Sequence, residues 1–76
     1  MKRYWQFVAI LDDGADMDEG YLTADGDLAK DRSEVPFFIA DDEEAEAEAY
    51  RRCALYENKN GCEIVDVVAE SNGKVS

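Results

Sequence analysis

Histidine is absent from the 76 residues, and cysteine occurs only twice, at Cys53 and Cys62. Without imidazole the chain lacks the usual acid–base group of neutral pH and the commonest nitrogen ligand for metals. The two cysteines show neither a CxxC pattern nor a zinc spacing, so mixed Cys/His metal sites and an imidazole-activated thiol are both excluded. Free thiols in a reducing cytoplasm are expected, with a disulfide left open should the helix end and the next strand lie close. Long apolar runs are missing too. Residues 7–11 are too short for a membrane span and too quickly followed by acids for a secretory signal after Met1-Lys2-Arg3. The expected location is cytoplasmic.

Basic side chains are scarce: 8 Lys and Arg stand against 19 Asp and Glu, for a formal charge of −11. Direct binding to DNA, RNA or an anionic membrane is disfavoured, because each requires a positive surface. Cationic partners fit instead, either a basic protein surface or metal ions. The chain is nonetheless 46% hydrophobic and 11% aromatic, too apolar for a disordered acidic tail. A single core is expected, built around Trp5, Phe7, Phe37, Phe38 and Tyr56.

Residues 4–11 alternate as a strand with two largely apolar faces, so the strand belongs mid-sheet or leaves a face for a partner. Residues 12–34 hold nine acids against Lys30 and Arg32. Their Asp-Gly turns surround one weak strand at Tyr21, Leu22 and Thr23. A second apolar run at 35–40 is placed at a strand start or sheet edge by Pro36. Asp41 or Asp42 then caps a helix, with Glu43 and Glu44 in its first turn where the dipole favours acids. Ala45, Ala49, Cys53 and Tyr56 form its apolar stripe with Leu55 flanking, Arg51 and Arg52 come within reach of Glu48, and Asn58 to Gly61 end it. Residues 62–69 read as the last strand.

The spacing thus predicts an α+β domain over residues 1–70, in the order β-β-β-α-β with the second strand weak, and a flexible tail over 71–76. Its sheet would be small, three- or four-stranded and mainly antiparallel, with one helix packed on one face. The first strand would lie between or beside the two that flank the helix.

Three chemistries compete. The stretch Asp16-Met17-Asp18-Glu19-Gly20-Tyr21 opens like an EF-hand loop, but Tyr21 stands where glycine is needed and Asp27 where a bidentate glutamate is needed. No metal site and no cofactor are expected from it. Carboxylate or serine catalysis lacks a walled pocket and an activating base, and no enzyme activity is expected. The charge itself remains. Six acids (Asp41, Asp42, Glu43, Glu44, Glu46 and Glu48) occupy eight consecutive positions, or about 12 Å of helix at about 1.5 Å per residue. That density of about one charge per 2 Å approaches the one per about 1.7 Å of duplex DNA. Asp12, Asp13, Asp16, Asp18, Glu19, Asp25 and Asp27 join these six as candidate partner-binding residues, with Tyr4, Tyr21 and Tyr50 as aromatic anchors.

Small size, lack of histidine and the run Asp41-Asp42-Glu43-Glu44-Ala45-Glu46-Ala47-Glu48 give the chain a character that resembles phage-encoded anti-CRISPR and anti-restriction proteins. Several of those families block nucleic-acid-binding enzymes by imitating DNA. The resemblance is one of character rather than motif, so it carries no functional residue across. It implies an inhibitor or decoy that docks on a basic surface of a nucleic-acid-binding protein, such as a CRISPR effector complex, in the host cytoplasm. The alternatives from other classes are a homo-oligomeric structural or accessory phage protein, an antitoxin-like partner of a basic protein and a cation-binding module.

Overall fold

The central strand β1 (Arg3–Asp12) organises the sheet, in a computed structural model that describes residues 1–12, 17–61 and 63–74, with only the backbone of Asp12, Met17, Asp18 and Lys74. Strand alternation sends Trp5, Phe7 and Ala9 to one face, where they are buried, and Tyr4, Val8 and Ile10 to the other, where they are half-buried. Strand β2 (Met17–Leu22) pairs antiparallel with residues 8–12 of β1, and the three-residue β4 (Phe38–Ala40) pairs antiparallel with residues 3–5.

β5 (Ile64–Lys74) runs antiparallel along β1 from Arg3 to Leu11, with register shifts between Arg3 and Trp5 and between Ile10 and Leu11. Val8 pairs with both Tyr21 and Val68, and Trp5 with both Phe38 and Ser71. A strand has two edges, so β2 and β4 share one and β5 holds the other. β3 (Leu28–Ala29) adds outside β2 and completes five strands. Since β4 and β5 are each antiparallel to β1, they are parallel to one another with β1 between them, and helix α1 (Asp42–Asn60) connects them.

The helix forms where its ends are satisfied. Asp41 accepts a hydrogen bond from the Glu44 amide (2.8 Å), and Gly61, at φ 66°, closes the other end by donating to the Glu57 carbonyl (2.9 Å). Its small stripe, Ala45 and Ala49, is buried and lets α1 lie close over Trp5, Phe7, Ala9, Leu22 and Ala40. The Trp5 indole donates to the Ala40 carbonyl (2.9 Å), so its polar atom is buried without loss. On the opposite face, a single 3-10 turn (Arg32–Glu34) and Val35 cover Gln6, whose amide donates to the Arg32 and Val35 carbonyls (2.9 and 2.8 Å).

The α+β class, the antiparallel sheet and the single helix packed on one face are as the sequence implies. Four details differ. Among the described residues the sheet has five strands, because the acidic stretch contains β2 and the two-residue β3. Of the expected tail over 71–76, residues 71–74 continue β5, because β1 extends back to Arg3 and supplies partners for Ser71 and Lys74, while residues 75–76 lie outside the described residues. Phe37, assigned to the core, is 48% exposed. Its position ahead of β4 puts it on the face away from the helix, edge-on to Tyr4 with ring centroids 5.7 Å apart. Finally, Arg52 is buried on the helix stripe beside Ala45 and Ala49.

Candidate functional site

The acids of α1 divide by helical phase. Glu48 turns inward and is spent within the molecule: both arginines that follow bind it, Arg51 through Nε to Oε1 (2.8 Å) and Arg52 through Nε to Oε2 (2.8 Å). With its side chain only 11% exposed, it is removed from the candidate contact set. The hydrogen bonds from Arg51, with those from Arg52, hold its carboxyl down at about 2 against the opposing effect of burial. The same contact raises the Arg51 guanidinium.

Asp42, Glu43, Glu44 and Glu46 are exposed, and Asp41 is half-buried by its capping role. Among the described residues no salt bridge reaches any of these five. Arg3 and Met1 share a shallow depression with Asp41, Asp42 and Glu43. The first turns of α1 therefore carry a negative patch at the end of the helix where the dipole field favours acids.

The acids of the loop between β2 and β3 lie elsewhere. Residues 23–27 turn tightly, with the Thr23 amide donating to the Asp27 carbonyl (2.9 Å) and Gly26 at φ 83° against Leu55. Two cations from α1 fasten this loop. Lys59 binds Asp27 (2.7 Å) and the Asp25 carbonyl (3.2 Å), and Arg51 donates to the Ala24 carbonyl (3.2 Å). Since Glu46 and Leu55 are nine residues apart, the loop sits about 14 Å along the helix from the patch, at about 1.5 Å per residue. Asp25 and Asp27 thus belong to a partly neutralised region, separate from the patch. Glu19 is exposed on β2 opposite Ile10. Asp13 and Asp16 lie outside the described residues, and Asp12 and Asp18 are placed only by their backbone in β1 and β2.

The EF-hand-like stretch does not form a loop where it is described, because residues 17–22 are strand β2. Among the described residues no cluster of three or more acids or cysteines is placed to hold a metal ion. Cys53 is free and half-buried. Burial, and then the charge of Glu57, pushes its thiol up, which lowers its nucleophilic fraction. Cys62 lies outside the described residues. Among the described residues no helix is long and apolar enough to cross a membrane.

Of the three tyrosines offered as anchors, Tyr50 is 63% exposed, whereas Tyr4 and Tyr21 are half-buried. The role of Arg52 was missed, yet a signal for it existed. Positions 45, 49, 52 and 56 follow helical spacing, so a charged residue at 52 had to be either paired inside or a break in the stripe. Compared with known proteins, the chain matches no family model, no curated protein and no solved structure.

Proposed function

We propose that this chain is an acidic binding module that docks on a basic surface of a nucleic-acid-binding protein and acts as an inhibitor or decoy, its carboxylates standing in for phosphates. One observation carries this reading: Asp42, Glu43, Glu44 and Glu46 are exposed at the start of α1 with no salt bridge among the described residues, while Arg51, Arg52 and Lys59 are engaged with Glu48, Asp27 and backbone carbonyls further along. Four charges in five positions, at about 1.5 Å per residue, give about one per 2 Å, near the density along duplex DNA. The patch is presented on a capped helix, so little ordering is required when a partner binds.

A CRISPR effector complex is the partner that the overall character suggests. Affinity capture from a lysate of the native host, washed at low and high salt, identifies the partner. Added duplex DNA should then displace the chain from it. Retention of the complex under both high salt and excess DNA contradicts the reading.

A further inference from the structure

The outermost strand β5 carries its own unused binding capacity. Among the described strands it pairs with β1 alone, so the backbone along its other edge has no strand partner. An open edge of this kind accepts an added strand. Beside it runs a groove between β5 and α1, continuous through Tyr50 and Val67, with Asp42, Glu46 and Glu57 on the helix wall and Asp66 on the strand. No lysine or arginine lines it among the described residues. Val65, 58% exposed, and Tyr50 supply apolar surface along the same edge.

Charge selects the occupant. A second copy carries a net charge of −11 itself. In an antiparallel self-pairing centred on Val68 it would set Asp66 directly opposite Glu70, and like charges so placed are destabilising. Asp66 also holds the Val67 amide through Oδ1 (2.9 Å), a carboxylate guarding the edge against neutral strands. A lysine or arginine opposite Asp66 offers that carboxylate a charged partner.

We infer that β5 is a strand-addition site for an extended, lysine- or arginine-bearing segment of the partner protein. The incoming strand hydrogen-bonds to the open edge of β5 while its cations reach Asp42 and Glu46 on one side and Asp66 and Glu70 on the other. This rests on the acidic-module reading and specifies where and in what conformation the partner is gripped.

The test uses the full chain and a ten-residue probe of Lys-Lys-Val-Val repeats, which puts lysines on both faces of an added strand, compared with the same peptide N-methylated at every residue. The two share charge and side-chain sequence, but the methylated form can donate from neither edge. The expected result is binding tighter by at least about tenfold for the unmethylated peptide, the effect of one or two net hydrogen bonds, with slowed hydrogen exchange at amides of β5. Equal binding of both peptides without that protection overturns strand addition and leaves the acidic-module reading standing. No binding of either overturns both. Protection of β5 amides in the chain alone, with a dimer by sedimentation, overturns the choice of occupant.

Discussion

Glu48 and Arg52, one turn apart on α1, form an ion pair (Oε2 to Nε 2.8 Å) that ties the helix to the sheet, because the same guanidinium donates through Nη1 to the Leu22 carbonyl (2.9 Å). The cation also lies over the Phe7 ring at 4.7 Å and near Phe38 at 5.6 Å. A buried guanidinium is tolerated only while its donors are matched. Replacing Glu48 by Ala is therefore expected to destabilise the fold by about 2–3 kcal/mol, seen as a lowered midpoint in thermal unfolding. A midpoint within about 2 °C of wild type contradicts this account of the pair.

The depressed carboxyl of Glu48 sets a pH window. Its folded value, about 2, lies below the ordinary 4.5, so its stabilisation is fully present above about 4.5 and is lost as pH falls towards 2. Acidification changes the charge of the whole molecule, so the difference between wild type and Glu48→Gln isolates the effect. Denaturant unfolding from pH 6 to 2 should show the wild-type advantage shrinking below about pH 4.5. A constant difference contradicts the assignment.

Gly26 and Gly61 both have positive φ but different surroundings. A Cβ on Gly26 would meet the Leu55 Cβ at 2.5 Å, whereas nothing lies within 4 Å of one on Gly61. Gly26→Ala should cost about 2 kcal/mol or more, combining strain with a displaced loop, and Gly61→Ala only about 1 kcal/mol. Equal costs in urea unfolding would show that the loop does not press on α1 as described.

Much of this was readable from the residues. The helix and the neighbourhood of both ends followed from Asp41 or Asp42, the small stripe and the stop at Asn58 to Gly61, since capping and helical spacing are local properties; the structure fixes the caps as Asp41 and Gly61. The paired role of β1 followed from its two apolar faces. What stayed hidden was non-local. Residues 71–74 have little strand propensity and are strands only because β1 offers them a partner. Phe37 reads as core by composition, and only the placement of Pro36 and β4 turns it outward. For the candidate site, charge density picks out Asp41 to Glu48 as a run, but charge counting alone could not show that the fold uses Glu48 internally, or that Lys59 draws Asp27 and the Asp25 carbonyl to the far part of the helix.

Asp41→Ala removes the side-chain cap without altering Asp42, Glu43, Glu44 or Glu46. It should cost about 1 kcal/mol and leave affinity for a basic partner within about threefold after the folded fraction is allowed for. A much larger loss of affinity would make Asp41 a direct contact.

The central claim is that the unpaired acids at the start of α1 engage a basic partner. Its most direct test is the Kd for the captured partner against salt concentration, for wild type and for the variant Asp42→Asn, Glu43→Gln, Glu44→Gln, Glu46→Gln. The account predicts that wild-type affinity falls steeply with salt, and that the variant binds at least about a hundredfold more weakly at low salt with a shallower dependence. Superimposable salt curves for the two proteins would contradict it.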